Sequence, residues 1–184
     1  MVSSNDSDEV LISRYFGGEM PAFETLYSRY RAPLYRFMLR SLRSKAEVED
    51  LYHEVWSRII TASQRFSDAT PGAFRAYLYQ IARHLLIDRG RRATLQLVEA
   101  DDPPEVASDA PAPDEQLHYA DCGERLLLAI DGLPAEQREA FLLKEESGLS
   151  LEQIAALVSA GRETIKSRLR YAMKKLRELL EECL

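Results

Sequence analysis

The residues of this chain best suited to chemistry with another molecule are the basic side chains near its C-terminus. Seven lysines and arginines fall between positions 162 and 177, and a single acid, Glu163, lies among them. This stretch has a net charge of +6 (seven minus one), whereas the whole chain of 184 residues has a net charge of -6. A local reversal of charge on an acidic protein is typical of a surface that contacts phosphates. The alternative is a solvated charged face on a helical hairpin.

Three helices are predicted to position these bases. The first begins near Pro134, which suits a first helical position, and ends at Gly148. Ser150 and Gln153 form a capping box that opens the second helix. A short turn, 159–161, leads to the third, whose apolar spacing predicts a buried stripe of Ile165, Leu169, Ala172, Met173 and Leu176. This is a helix-turn-helix with a basic second helix, an arrangement that fits the major groove of DNA.

A second group of cations alternates with aromatic rings in the first half of the chain. Arg75, Tyr79 and Arg83 are spaced i, i+4 and i+8, so they share one face of a predicted helix. Thr70 and Pro71 are predicted as the N-cap and first residue of that helix. Rings stack on unpaired bases at about 1 to 3 kcal/mol each while arginines hold phosphates, so this face suits single-stranded DNA. The alternative for any one of these aromatic residues is a place in the core.

Three further helices are predicted before this one. The first ends at Phe16, the second begins at Pro21, and the third opens with a capping box of Ser44 and Glu47. The third has a complete apolar stripe, made of Val48, Leu51, Tyr52, Val55, Trp56, Ile59 and Ile60. Its other side is an acidic edge suited to a basic partner, formed by Glu47, Asp50, His53 and Glu54. The alternative is a solvated acidic face.

The stretch between the two groups has a different composition. Residues 97–117 contain seven acids, four prolines and no lysine or arginine. Proline interrupts helices, like charges repel, and few apolar side chains are present to offset the entropy of ordering. The prediction is therefore an all-α protein of two small helical domains, residues 1–96 and 116–184, joined by an acidic flexible linker at 97–115.

Motifs and composition argue against several other classes. The pair His53-Glu54 begins like a zinc-protease motif, but the second histidine is missing because position 57 is Ser57. The chain has no Gly-rich phosphate loop with a following lysine and no Gly-x-Ser-x-Gly. Three histidines and two scattered cysteines, Cys122 and Cys183, make no metal set, and inert reduced thiols are expected. No apolar run approaches the ~20 residues that span a bilayer. We expect no catalytic activity, cofactor, metal, signal peptide or membrane insertion.

Three blocks of the sequence resemble one family. Residues 133–180 resemble region 4 of bacterial RNA polymerase sigma factors of the extracytoplasmic-function (ECF) class, nearly without gaps from LPAEQREAFLLKEESGLSLEQIAALV to TIKSRLRYAMKKLRELL. Residues 46–66 resemble the first part of region 2 through Asp50, Leu51, His53, Glu54 and Trp56. Residues 74–92 resemble its second part through Tyr77, Leu78, Ile81, Ala82, Arg83, Asp88, Arg91 and Arg92. The order and spacing of these blocks are more specific than any block alone.

The resemblance implies a non-enzymatic factor that binds core RNA polymerase in the cytoplasm and directs promoter-specific initiation. The helix-turn-helix would recognise the -35 element through Arg162, Thr164, Lys166, Ser167, Arg168 and Arg170. The loop 62–70 and the helix after it would bind and melt the -10 element through Arg75, Tyr79, Arg83, His84, Arg91 and Arg92. Docking on the clamp helices of the polymerase largest subunit would use Asp50, His53 and Glu54, and the flap region would be a second contact. An anti-sigma factor is a further partner that the resemblance suggests.

Two other classes stay open at this point. A helix-turn-helix repressor with an unrelated sensing domain would bind promoter DNA tightly without polymerase, usually as a dimer. A helical regulator that sequesters another protein would not touch DNA. The chain also departs from the resembled pattern, because its turn is Ser159-Ala160-Gly161 where glycine and an apolar residue are usual. His53 and His84 stand where glutamine and asparagine are usual, and His84 could change the -10 preference.

Overall fold

The computed structural model describes residues 3, 5–42, 44–62, 70–99 and 117–181, and within these residues all regular secondary structure is helical. The all-α prediction is therefore confirmed. The helices are α1 (Asp8–Phe16), α2 (Met20–Leu39), α3 (Lys45–Thr61), α4 (Ala73–Glu99), α5 (Leu117–Asp131), α6 (Ala135–Ser147), α7 (Leu151–Leu157) and α8 (Arg162–Leu179). None of the described helices combines the length and apolarity needed to cross a membrane.

Helices α1 to α4 form the first domain, with α1 packed on α2 and α3 packed on both α2 and α4. The predicted apolar stripe of α3 lies in this core, where Val48, Val55 and Ile59 are fully buried. Ile60 was assigned to the same stripe but is 45% exposed, so that part of the prediction is wrong. The stripe therefore ends one residue earlier than predicted, and the acidic edge of α3 faces away from it.

The start of α4 differs from the prediction. The helix begins at Ala73, after a turn in which the backbone N–H of Ala73 donates to the carbonyl of Thr70 at 2.9 Å. The cap comes from α1: the carboxylate of Glu9 accepts from the backbone N–H groups of Gly72 at 2.9 Å and Phe74 at 3.3 Å. An anion at a helix N-terminus satisfies orphan donors and is favoured by the helix dipole. Thr70 and Pro71 are thus not the N-cap and first residue of α4.

Helices α5 to α8 form the second domain, in which α6, α7 and α5 all pack against α8. The predicted capping box is confirmed, with Gln153 N donating to the Ser150 hydroxyl and Ser150 N donating to the Gln153 side chain. Gly148 ends α6 in the left-handed conformation, with φ of 65°. Met173, predicted to be buried on α8, is 46% exposed. Helix α5 was not predicted as a separate element.

The last helix of the first domain overlaps the start of the predicted linker. Helix α4 continues to Glu99, so the first three residues of the predicted linker are helical. Residues 100–116 lie outside the described part of the chain, and the flexible linker stays a prediction. Cys122 on α5 is disulfide-bonded, so the expectation of two free thiols is wrong for this residue.

The two domains are packed against each other. Helix α6 contacts α2 and α4, α7 contacts α4, and the buried apolar residues of both domains form one continuous cluster. We refer to this packing of α6 and α7 on α2 and α4 as the closed arrangement. It decides which of the predicted functional residues are accessible.

Candidate nucleic-acid interface

Helix α8 carries the predicted -35 residues. Gly161 precedes it in an extended conformation, and Glu163 places a negative charge in its first turn. Ile165, Ala172 and Leu176 anchor the helix in the domain core. The exposed residues of the predicted set are Arg162, Thr164, Lys166 and Arg170, and the half-buried ones are Ser167 and Arg168. The helix therefore presents most of these side chains to solvent, as a DNA-contacting helix requires.

Several of the α8 bases already have partners within the second domain. Arg168, only 19% exposed, forms an ion pair with Glu136 of α6, and Lys175 donates to the backbone carbonyl of Gly132 at 2.6 Å. These two bases are seven residues apart, about two helical turns, so they lie on the flank of α8 that faces the α5–α6 corner. The Arg170 guanidinium lies 5.0 Å from the ring centroid of Tyr171, outside that flank. Some bases of α8 thus stabilise the second domain, while others lie on its exposed surface.

The predicted -10 residues Arg75, Tyr79 and Arg83, which we call the -10 face, lie on one side of α4 as predicted. Their accessibility differs from the prediction. Tyr79 is fully buried, with its hydroxyl donating to the backbone carbonyl of Glu146 at 3.1 Å and its ring 5.3 Å from that of Phe37. Arg83 is 19% exposed and pairs with Glu139 of α6 at 2.8 Å. In the closed arrangement the second domain occupies the surface that would stack on bases.

Arg75 lies in a polar network at the edge of this face. Its Nε donates to the Tyr30 hydroxyl at 3.0 Å, and its Nη1 donates to the carbonyl of Gly148 at 3.4 Å. The Tyr30 hydroxyl donates to Asp8 of α1. The bond to Tyr30 raises the pKa of the Arg75 guanidinium, and burial raises the pKa of the Tyr30 phenol. Burial likewise raises the pKa of Tyr79, with Tyr30 and Glu146 acting in the same direction. These groups keep their ordinary protonation at neutral pH.

The remaining -10 residues are less engaged. His84 and Arg91 are exposed on α4. The side chain of Arg92 and residues 63–69 of the loop predicted to capture an unstacked base lie outside the described part of the chain. Arg89, which precedes Arg91 and Arg92 on α4, donates to the carboxylate of Glu47 at the start of α3 at 2.9 Å. Glu47 therefore supports the α3–α4 contact and does not complete the predicted reciprocal capping box, in which only the Ser44 half is formed.

The predicted polymerase residues lie together on α3. Asp50, His53 and Glu54 are all exposed, and we call them the α3 edge. Glu54 pairs with Arg58 one turn later at 2.8 Å, and both side chains are about half exposed. Such a pair on a helix surface contributes only a few tenths of a kcal/mol. The α3 edge is therefore free to exchange its local partner for an external cation.

Sequence reasoning missed the acids of α6 that cover the -10 face. Glu146 pairs with Arg36 of α2 at 2.8 Å and lies 3.6 Å from Arg40, and its side chain is only 8% exposed. Glu139 pairs with Arg83. The spacing of Glu139 and Glu146, seven residues or about two turns apart, places both on one face of α6. That spacing was the available signal, but only the tertiary structure shows what it faces.

The fold and these surfaces define a DNA-binding protein of two helical domains, one of them a helix-turn-helix. Residues 26–95 match the family model for Sigma-70 region 2, and residues 123–176 match that for Sigma-70, region 4. The chain belongs to the ECF family of RNA polymerase sigma factors. Members of this family bind core RNA polymerase and direct promoter-specific initiation of transcription, and this chain shares that function.

Individual relatives support this membership. ECF RNA polymerase sigma factor SigL of Mycobacterium tuberculosis is 31% identical over 93% of this chain and 96% of its own length. ECF RNA polymerase sigma factor SigE of Mycolicibacterium smegmatis is 31% identical over 88% of this chain, which spans 62% of that relative. Among solved structures, the sigma factor RpoE of Bartonella quintana, in complex with the anti-sigma factor NepR, is 26% identical with a TM-score of 0.66 over 86% of this chain and 96% of that one. CnrH, solved with the cytosolic domain of CnrY, shares the fold at 22% identity and the same TM-score, over 96% of this chain and 99% of that one.

Proposed function

We propose that this sigma factor recognises the -35 element with α8 and the -10 element with α4 and the loop before it, while the α3 edge docks on the clamp helices of core polymerase. The observation that carries the proposal is the exposure of three unlike surfaces in the order of the family's regions. These are the acidic α3 edge, the exposed surface of α4 at His84 and Arg91, and the basic surface of α8. The factor supplies recognition and no catalytic group of its own, and it acts in the cytoplasm, where core polymerase is found.

Each surface has the chemistry that its partner requires. Carboxylates on the α3 edge complement a basic docking site, which speeds encounter and fixes register. Exposed bases on α8 neutralise phosphates and can form bidentate bonds to guanine in the major groove. The flap region of polymerase is the proposed second contact. The NepR complex of the Bartonella relative supports an anti-sigma factor as a partner of this chain.

The direct test is transcription by purified core polymerase on a library of genomic promoter fragments, with and without the chain. We expect a defined subset of promoters to require the chain. A protein that binds those promoters tightly as a dimer without polymerase would instead be a repressor. A protein that binds neither polymerase nor DNA would be a sequestering regulator.

The assignment of the α3 edge is tested by reversing two charges, Asp50→Arg with Glu54→Arg. Both side chains are exposed and lie off the apolar stripe, so we expect the free energy of unfolding to change by no more than about 0.5 kcal/mol. Like charges would then face a basic docking site, and co-purification with core polymerase should be lost. The control variant, Glu24→Arg with Glu124→Arg, makes the same change in net charge at exposed sites elsewhere and should retain binding. Retention of binding by both variants would remove the α3 edge from the interface.

A further inference from the structure

Helix α6 covers the -10 face through a continuous set of polar contacts. Its carboxylates hold three arginines of the first domain: Arg83 of α4 binds Glu139, and Glu146 is flanked by Arg36 of α2 and by Arg40, the C-cap residue of α2. The backbone at the end of α6 accepts from the Tyr79 hydroxyl. The turn after α6 accepts from Arg75. Every member of the -10 face thus has a partner in α6 or in the turn that follows it.

Helix α7 adds a further contact on the same side. The side chain of Gln153 donates to the carbonyl of Gly72 at 3.3 Å, at the start of α4. Gln153 is also a member of the α7 capping box, so the same residue that opens the helix-turn-helix ties it to the first domain. The contact between the domains is therefore built from both α6 and α7.

Glu146 is the central residue of this interface. Its side chain is 8% exposed, and its two carboxylate oxygens face Arg36 of α2 and Arg40 at the C-cap of that helix. A charge that is removed from water without its partner is strongly destabilising, so Glu146 stays buried only while Arg36 and Arg40 are present. Tyr79 and Phe37, both of the first domain, pack edge to face beside this contact, and the buried apolar residues of the two domains form one continuous cluster. Polar and apolar contributions both favour the closed arrangement of the isolated chain.

The closed arrangement cannot serve the promoter recognition proposed above. Elements centred near -35 and -10 are about 25 base pairs apart, which is roughly 85 Å of straight duplex at 3.4 Å per base pair. A compact chain of this length has a radius of gyration of about 16 Å, so its two ends cannot reach both elements. In addition, a buried Tyr79 cannot stack on a base. The domains have to separate before both elements are bound.

We propose that α6 is an intramolecular cover that holds the free sigma factor closed and withholds its -10 face until the domains separate. The inference rests on the proposed function, since it assigns to the covered surface the role of binding the -10 element. Opening replaces the contacts of Glu139 and Glu146 with water, exposes Tyr79 and Arg83, and releases Arg75, which is already 38% exposed, from the carbonyl of Gly148. Phosphates of single-stranded DNA then take the place of the Glu139 carboxylate on Arg83.

The test uses the full chain and the substitution Glu146→Arg, which places a third cation between Arg36 and Arg40. Small-angle X-ray scattering should give a radius of gyration near 16 Å for the unaltered chain and a value above about 20 Å for the variant. Binding is measured by fluorescence anisotropy with a labelled pool of single-stranded 12-mers of randomised sequence. We expect the variant to bind at least about fivefold more tightly, the lower end of typical coupling between a conformational change and a ligand.

Three further variants make the result specific. Glu145→Arg, at the exposed neighbouring position, makes the same charge change and should leave both readings as in the unaltered chain. The triple variant Arg36→Glu, Arg40→Glu and Glu146→Arg restores opposite charges and should close the protein again. Arg36→Glu alone should open it, and circular dichroism checks that every variant keeps its helices.

Two outcomes would overturn the cover. One is an unaltered chain that is already extended, and the other is an expanded Glu146→Arg variant that binds the 12-mers no better. If core polymerase still binds the unaltered chain in those cases, the proposed function stands and only the cover is rejected. If the unaltered chain neither binds core polymerase nor supports promoter-specific transcription, the proposed function is rejected and the cover with it.

Discussion

Ser159 shows at the scale of a single residue how this helix-turn-helix departs from the usual pattern. Its φ is 56°, and it is the one non-glycine residue with positive φ in the described part of the chain. This is the left-handed conformation, which costs a residue with a Cβ roughly 1 to 2 kcal/mol. Ser159 therefore adopts the backbone conformation that favours glycine, the residue usual in this turn, and it does so at some cost in stability.

Ser159→Gly should stabilise the protein by about 0.5 to 1 kcal/mol, because relief of the left-handed strain exceeds the added entropy of the unfolded chain. Urea unfolding followed by circular dichroism measures the change. The matched control is Ala160→Gly, where φ is not positive and only the entropic cost applies, so it should destabilise by about 0.5 to 1 kcal/mol. Equal effects of the two substitutions would contradict the strain at Ser159.

Arg168 combines a predicted role in reading bases with an ion pair to Glu136. If it reads a base, Arg168→Ala should weaken binding to a selected -35 duplex by about 1 to 3 kcal/mol and relax sequence preference at one position. Glu136→Gln keeps the arginine but removes the competing carboxylate, so it should strengthen binding. The measurement is a titration of labelled duplexes, selected and random, at a fixed salt concentration. Equal losses of Arg168→Ala on both duplexes would reduce Arg168 to a phosphate contact.

Glu9 illustrates at the scale of elements how one helix caps another. Its carboxylate, 7% exposed, binds two backbone N–H groups at the start of α4, the helix that carries the -10 face. Glu9→Ala should cost about 1 to 3 kcal/mol, since it removes a buried acceptor and leaves those donors unsatisfied. Thermal unfolding of the full chain tests this, with Glu24→Ala at an exposed position of α2 as the control. A loss no larger than that of the control would show that water replaces the cap.

The elements that sequence predicted well are those with local signals. Caps at Ser44 and Ser150, together with the glycine stop at Gly148, lie within a few residues of the backbone groups they serve. Their chemistry is therefore visible in a short window of sequence. The cap of α4 was mistaken because its acceptor, Glu9, lies 63 residues away from Gly72. Helix α5 was missed although Leu126, Ala129, Ile130 and Leu133 recur at helical spacing.

Sequence likewise predicted one part of the candidate site and missed another. The spacing of Arg75, Tyr79 and Arg83 correctly placed them on one face of a helix. It could not show that the face is covered, since the covering residues Glu139 and Glu146 lie in the other domain and more than 50 residues away. Periodicity reports which side chains share a surface, and only packing decides what that surface meets.

The whole molecule is acidic, and its predicted linker holds much of the negative charge. The negative charge of that segment predicts that it folds over the basic helix and weakens DNA binding by the free chain. Between Glu99 and Leu117 the chain can span at most about 65 Å when fully extended. That reach, added to the size of two small domains, is sufficient for both promoter elements at once. The linker and the α6 cover would act on different surfaces, α8 and α4, so their effects can be separated.

Neutralising four linker acids should raise affinity for a -35 duplex, since fewer carboxylates compete with phosphate for α8. The substitutions are Asp101→Asn, Asp102→Asn, Glu105→Gln and Asp109→Asn. The control neutralises four exposed acids of the folded domains, Glu24, Glu49, Asp88 and Glu124, so that both variants have a net charge of -2 (-6 plus 4). Fluorescence anisotropy should show a gain several-fold larger for the linker variant. The same gain in both would mean that net charge alone is responsible.

The α3 edge stays exposed in the same closed arrangement that hides Tyr79. If the α3 edge docks on core polymerase as proposed, a free molecule can be recruited before it binds unpaired bases. Replication forks and the transcription bubbles of other genes expose unpaired bases throughout the genome. A factor whose -10 face was always exposed would bind these bases and be lost to its promoters. Because the -10 face is covered in the free factor, these competing sites bind it weakly. On this view, part of the selectivity of the factor comes from timing: its reading surface becomes available only within the assembly that can use it.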